Sequence, residues 1–240
     1  MEKREELYKG KAKTVYATDD PAYLIMHYRD DVSAFDGVKV AKLDQKGETN
    51  NKINAYVMGK LAAADVATHF VRLLNERESL VKAMKMIPVE CVVRNICAGS
   101  MAKRYGIAEG TRLSEPIFEF FLKSDALHDP LVNDDHIRVL GWASIDEIAQ
   151  MKTLTHRVNA VLKPLFADAG IDLVDYKLEF GHPVDDVRGP LVLGDEFTPD
   201  GCRLWDAKTG EKLDKDRFRR DLGSVIEHYR EVAARIGASL

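Results

Sequence analysis

Cysteine is scarce in this chain. Its three copies, Cys91, Cys97 and Cys202, are scattered without metal-ligand spacing, and an odd, sparse set excludes a disulfide scaffold and fits a reducing compartment. Long apolar runs are missing as well. No segment approaches the roughly 20 residues of a membrane-spanning helix, and the opening MEKREELYKG has no apolar signal core. These absences predict a cytoplasmic protein with no membrane partner. Basic residues are not in excess: 35 Lys and Arg against 39 Asp and Glu leave a net charge of −4. That balance argues against bulk binding of nucleic acid while allowing a local basic pocket. Walker and GxGxxG signatures, internal repeats and low-complexity tracts are also absent. What remains is 240 residues, 45% hydrophobic and 31% charged, enough for a large core in one domain of two lobes or in two small domains.

The most informative stretch is LVDYKLEFG at Leu173–Gly181, followed by GDEFTPDGCRLWD at Gly194–Asp206. Asp175, Lys177 and Glu179 stand two apart, so on a strand their side chains share one face while Tyr176, Leu178 and Phe180 face a core. Three charges on one face are costly without partners, which points to a polar cleft holding a cation, a phosphate or both. Leu191–Gly194 reads as a second strand delivering Asp195 and Glu196, and the two strands read as a hairpin. Their acids can converge on Mg²⁺, a hard ion that prefers oxygen ligands and shares them with phosphates. The plainer reading is a solvent-exposed stripe of acids and lysine.

Elsewhere the chain divides by character. Leu7–Tyr8, Thr14–Ala17, Tyr23–Tyr28, Leu73–Val81 and Ile87–Arg94 read as strands, and Ile53–Ala64 as a helix capped by Asn50 or Asn51. After Arg94 come a short helix at Met101–Tyr105, an apolar segment at Pro116–Leu122 and a long helix at Ile145–Ala169, started by Ser144 and stopped by Gly170. Asp216–Ile236 reads as one further amphipathic helix. The expected fold class is α+β, with a β-rich N-terminal lobe at residues 1–86, an α+β lobe at 87–240 and a ligand cleft between them.

Three clusters carry candidate chemistry. YKGKAKTVY at Tyr8–Tyr16 places Lys11 and Lys13 on one face of a strand after Gly10, a spacing that grips polyphosphate; surface lysines are the alternative. In MIPVECVVRNICAGS at Met86–Ser100 a buried strand ends at Arg94, and Ser100 opens a helix, which together suit a phosphate; the alternative is an ion pair of Arg94 with Glu90. Arg203 can join that pocket. FLKSDALHDP gathers Lys123, Asp125, His128 and Asp129, with His128 read as structural. No serine or cysteine is set up as a covalent nucleophile.

With these residues in place, the sequence resembles the phosphoribosylaminoimidazole-succinocarboxamide synthase (SAICAR synthetase) family. MIPVECVVRNICAGS and LVDYKLEFG resemble its two signature stretches. YKGKAKTVY, SAFDG at Ser33–Gly37, KGETNNKIN at Lys46–Asn54, GDEFTPDGCRLWD and DKDRFR at Asp214–Arg219 follow in the family's order. HPVDDVRG at His182–Gly189 makes the loop between the acidic strands longer than the family pattern.

The resemblance implies an ATP-dependent ligase, with a kinase-like N-terminal half, that joins L-aspartate to the carboxylate of carboxyaminoimidazole ribonucleotide (CAIR) in purine synthesis. It implies Mg²⁺ on Glu179 and Asp195. It implies ATP near Lys11, Lys13 and Val15, with the adenine edge against the Val81–Met86 connector and so beside Lys82, Met84 and Met86. The CAIR phosphate falls to Arg94, Ser100 and Arg203, and its ring or ribose to Asp175, Lys177 and Asp129. Lys177, Asp175, Asp129 and Lys123 are the expected catalytic set. Asp36, Gly37, Lys123 and Arg219 are candidates for aspartate, and a homodimer is expected. Two rival readings are another ATP-dependent ligase or small-molecule kinase, and a noncatalytic nucleotide-binding regulator.

Overall fold

Two antiparallel sheets meet where the chain passes from Lys82 to Met84. The computed structural model describes residues 1–238. In chain order, β1 (Lys3–Lys9), β2 (Lys13–Thr18) and β3 (Tyr23–Tyr28) form a meander. A separate hairpin, β4 (Asp31–Ala34) and β5 (Lys39–Lys42), leads to α1 (Lys46–Ala63). Then β6 (Phe70–Leu73) and β7 (Glu78–Lys82) complete the first sheet in the order β1-β2-β3-β7-β6.

The second sheet begins with β8 (Met84–Ile96). It continues through α2 (Gly99–Tyr105), β9 (Arg112–Leu122), a single 3-10 turn at Asp125–Leu127 and β10 (Leu131–Val132). Two helices, α3 (Asp134–Val139) and α4 (Ile145–Asp168), precede β11 (Ile171–Pro183), β12 (Val192–Gly194) and β13 (Cys202–Asp206), and α5 (Asp216–Arg219) and α6 (Val225–Ile236) close the described chain. The sheet order is β10-β9-β8-β11-β12, with β13 also on β11. This is the mixed α+β class expected.

β11 organises the molecule. One edge pairs with β8, while β13 takes the first half of the other edge and β12 the second. Tyr176, Leu178 and Phe180 are buried on one face, packed in a single core with Val158, Leu162 and Phe166 of α4 and Ile53, Val57 and Leu61 of α1. Each such side chain, fully buried, contributes about 1.5–3 kcal/mol of transfer free energy. Helix α1 thus lies in the N-terminal third but belongs to the core of the second sheet.

Local signals were legible where they were chemical. Ser144 caps α4 in a reciprocal box with Glu147, and Gly170 follows its end with φ of 70°. Three readings need correction. Helix α1 starts at Lys46, so Asn50 and Asn51 lie inside it, buried, and cap nothing. The Leu73–Val81 strand is two strands, because the Asn75 side chain accepts the Arg77 N–H and turns the chain. The helix expected over Asp216–Ile236 is broken: Asp221, Gly223 and Ser224 all have positive φ, and the Arg217 guanidinium donates to the Gly223 and Leu222 carbonyls across the break.

Candidate active site

The face of β11 opposite the core carries the chemistry. Antiparallel register places Asp175 beside Arg94, and Glu179 beside Glu90, on β8; Asp175 is also level with Arg203 on β13. Directly paired residues share a face, so period-two alternation along one strand recruits acids and bases from its neighbours. A cleft of about 570 Å³ opens between this face and the first sheet.

The cleft has an apolar and a polar half. Val15, Leu24, Met26, Val81, Met84 and Met86 line it from the first sheet and the connector, where a flat base can be enclosed. Lys13, Lys123, Lys177, Glu179 and Asp195 line it on the polar side, with Lys11, Lys82 and Asp129 on its wall. The six residues expected around ATP therefore all border one space.

Lys177 ties the acids together. Its Nζ donates to Glu179 Oε1 at 2.7 Å and to Glu90 Oε1 at 2.9 Å, and stands 3.5 Å from Asp195 Oδ2. Lys123 pairs with the other oxygen of Glu179, and Lys13 pairs with Asp195 and, at 3.2 Å, with Glu196. Burial pulls the Lys177 ammonium down, but the carboxylates of Glu179, Asp195 and Glu90 outweigh it and hold the group well above its ordinary range. Burial likewise raises Asp195, yet Lys13 and Lys177 hold its carboxyl far below the usual range. Asp195 is therefore held charged by the lysines beside it.

Lys11 and Lys13 do not share a strand face as expected. Lys11 precedes β2 in the bend after Gly10, half exposed, and donates to Asp125 Oδ1 at 2.8 Å. Lys13 opens β2, and its side chain is only 16% exposed. It is an interior cation, so its removal would strip Asp195 and Glu196 of a partner as well as affecting any ligand.

A second cluster adjoins the cleft on the same sheet face. Asp175, 3% exposed, accepts through Oδ2 from Arg94 Nη1 and from Arg203 Nη1, each at 2.8 Å. Arg94 also donates to Glu119 at 2.9 Å and reaches Ser100 Oγ at 3.2 Å. Its acid partners are thus Asp175 and Glu119; Glu90 is taken by Lys177. Gly99 is needed here: its φ is +56°, and a Cβ would overlap the Arg203 guanidinium. Burial lowers Arg203, but Asp175 and Asp216 more than reverse that, so the paired guanidinium is held above its ordinary range.

The residues expected for aspartate each have a different partner. Asp36 and Gly37 sit at the exposed tip of the β4–β5 hairpin, where Asp36 Oδ2 meets His128 Nδ1 at 2.9 Å. Lys123 is held by Glu179, and Arg219 pairs with Asp216 at 2.5 Å. Asp129 accepts the Ser124 N–H at 2.8 Å and keeps a place on the cleft wall.

One group escaped the sequence reading. Lys46, 1% exposed, lies 2.5 Å from Asp200 Oδ2. Asp200 also accepts from Asn50 at 2.9 Å and from the Tyr229 hydroxyl at 2.8 Å, and it borders the cleft with Lys215. Burial draws the Lys215 ammonium down to about 8. The available signal was spacing: Lys46, Asn50 and Asn54 stand four apart on a helix, a polar stripe on a face that is buried.

The donor set suits Mg²⁺. Among the described residues no three His, Cys, Asp or Glu side chains form a closed metal cage. Two carboxylates on the cleft wall are what this ion takes when substrate phosphates and water complete its shell. Glu196 Oε2, beside Asp195, is buried with no hydrogen-bond partner among the described residues, so the wall has acceptor capacity to spare. The cysteines are not set up as nucleophiles. All three cysteines are buried, and burial raises each thiol above its ordinary range. No helix among the described residues is long and apolar enough to cross a membrane.

Comparison with known proteins follows the same lines. The family model described as SAICAR synthetase matches residues 6–236. A relative from Alteromonas mediterranea, phosphoribosylaminoimidazole-succinocarboxamide synthase, is 64% identical over 240 residues, covering 100% of both chains. The crystal structure of the same-named protein from Ehrlichia chaffeensis is 46% identical with a TM-score of 0.96, covering 98% of this chain and 100% of its own. A solved SAICAR synthetase (Type-2) in complex with ADP is 44% identical with a TM-score of 0.93, covering 98% of each chain. A family match spanning nearly the whole chain, together with a divided cleft bordered by lysines and acids, leaves one assignment: the chain belongs to the SAICAR synthetase family.

Proposed function

We propose that this cleft is where ATP activates the carboxylate of CAIR for attack by L-aspartate, giving SAICAR, ADP and phosphate. The chain is an ATP-dependent carbon–nitrogen ligase of purine biosynthesis, in keeping with its family and with the ADP complex of a relative. The observation that carries the site assignment is Lys177 bridging Glu179 and Asp195, between the apolar half of the cleft and the Arg94–Asp175–Arg203 group.

The chemistry explains the residue types. A carboxylate has no good leaving group, so an amine does not displace its oxygen. Transfer of the γ-phosphoryl group to a CAIR carboxylate oxygen forms an acyl phosphate and ADP. The aspartate amine then attacks the acyl carbon, phosphate departs with the carbon–oxygen bond, and the amine loses a proton. Both steps crowd anions together, so catalysis is positioning and charge neutralisation. Lys13, Lys123 and Lys177 supply fixed positive charge, and the Val81–Met86 connector receives the base. Glu179 and Asp195 would hold Mg²⁺, which neutralises charge on the phosphates. Arg94, Arg203 and Ser100 would receive the CAIR phosphate; an incoming phosphate would share the guanidinium donors with Asp175 and Glu119. Aspartate is left to the polar wall near Lys123, with Asp36, Gly37 and Arg219 as the other candidates.

Arg94→Lys tests the phosphate assignment. Lysine keeps the charge but loses the planar fork, so KM for CAIR should rise about tenfold, the cost of roughly one good hydrogen bond, while KM for ATP changes little. Equal rises for both substrates would make Arg94 a shaper of the whole cleft.

A further inference from the structure

His69 stands at the seam of the two sheets, outside every strand. Its backbone N–H donates to the Leu193 carbonyl on β12, and its carbonyl accepts from the Lys82 N–H at the end of β7, both at 2.8 Å. Thr68 forms an isolated parallel bridge with the same Leu193. The imidazole makes a third link, with Nε2 at 2.8 Å from the Asp195 carbonyl oxygen. A carbonyl only accepts, so Nε2 carries the proton. His69 is buried and borders the cleft.

The residue it grips has an uncommon backbone conformation. Asp195 has a φ of 53°, in the left-handed region that few residues besides glycine, asparagine and aspartate adopt. That conformation turns the chain directly after β12 and brings the carboxylate to Lys13 and Lys177. An extended Asp195 would rotate its side chain away from both. The left-handed turn therefore persists only where its surroundings hold it, and the imidazole bond is a direct restraint on its carbonyl.

We propose that His69 is a positioning residue for the ligation: by donating to the Asp195 carbonyl it holds the left-handed turn that aims the Asp195 carboxylate into the cleft. Its backbone bonds to Lys82 and Leu193 make that aim depend on how the first sheet seats against the second. The proposal rests on the reading of Asp195 as a Mg²⁺ ligand.

The test is calorimetric binding of ADP to the parent chain, His69→Ala, His69→Gln and Asp195→Asn, each with Mg²⁺ and with a chelator instead. The ratio of the two affinities measures the gain that Mg²⁺ provides. In His69→Ala this gain should fall about tenfold, the usual scale for removing a group that orients a metal ligand. KM for Mg-ATP should rise with it, and KM for CAIR should stay near the parent's. In His69→Gln, whose amide nitrogen can occupy the position of Nε2, most of the gain should return. A parent-like gain in His69→Ala overturns the proposal, as does a His69→Gln as impaired as the alanine variant. A lowered melting temperature with an unchanged gain reduces His69 to a structural role and overturns it too. Should His69→Ala not fold, His69→Gln decides alone: a parent-like gain supports the proposal and a tenfold loss overturns it. If Asp195→Asn itself keeps the full gain, the metal reading of Asp195 fails, which is distinct from a failure confined to His69.

Discussion

Glu179→Gln and Asp195→Asn should each lower kcat by about 10²–10³-fold while the protein remains folded, a loss typical of removing one preorganised charged group from a transition state. An amide keeps the shape of the side chain but not its charge. Each acid is also half of an internal ion pair: Glu179 with Lys177 and Lys123, Asp195 with Lys13 and Lys177. On the proposed reading, removing one carboxylate would unbalance the lysines assigned to the phosphates as well as weaken the proposed hold on Mg²⁺. Raising Mg²⁺ should recover part of the activity if the loss is one of metal affinity. Steady-state turnover at limiting and saturating Mg²⁺, with circular dichroism as a control for folding, checks this. Near-parent turnover of either variant at limiting Mg²⁺ would remove that acid from the metal site.

The largest stability effect should come from Lys46 and Asp200. Asp200→Asn leaves the Lys46 ammonium buried without its counter-charge, at a cost of about 3–5 kcal/mol. For a chain of this length that is on the order of 10 °C in Tm. The double variant Lys46→Met/Asp200→Asn should regain much of the loss, because it removes the stranded charge, and a double-mutant cycle would measure the coupling. The sign with pH is fixed. Burial raises Asp200, but Lys46 and Lys215 outweigh it and lower its carboxyl from 3.8 to about 2. The unfolded chain thus binds the proton first, so this stabilisation is complete above the unfolded value and is lost as pH falls toward 2. Across that interval the Tm of Asp200→Asn should fall less steeply than the parent's. Equal slopes would mean that Asp200 is not held charged by its neighbours.

These two groups also mark what a sequence can disclose. The Asp175–Lys177–Glu179 face was legible because alternation along a strand is local, and β11 obeys it: the intervening Tyr176, Leu178 and Phe180 are all buried. The α4 cap was legible for the same reason, being set by neighbours in sequence. Partners were not. Lys13 and Asp195 are 182 residues apart, and only the meeting of two sheets makes Lys13 an interior cation paired with acids, where the sequence offered a phosphate-gripping lysine or a surface one. Arg94 was read with Glu90 as its alternative partner four residues earlier, but the register of β8 against β11 gives Glu90 to Lys177 and Asp175 to Arg94. The break between α5 and α6 was hidden because amphipathic spacing continues across Leu222–Ser224, while the left-handed conformations of Asp221 and Ser224 have no periodic signature. The family's ordered motifs gave the reaction, but not the partner of each residue. Asp36, Lys123 and Arg219 illustrate this, each paired with a different residue.

The central claim is that one cleft couples ATP cleavage to amide formation between a nucleotide carboxylate and L-aspartate. The measurement that tests it most directly is release of ADP by the purified chain, supplied with Mg-ATP, CAIR and aspartate and with each omitted in turn. Sustained ADP release should require all three, with one SAICAR formed per ADP. Sustained ADP release without aspartate, or with another acceptor in place of CAIR, would contradict the account and point to a kinase or to a ligase of different substrates.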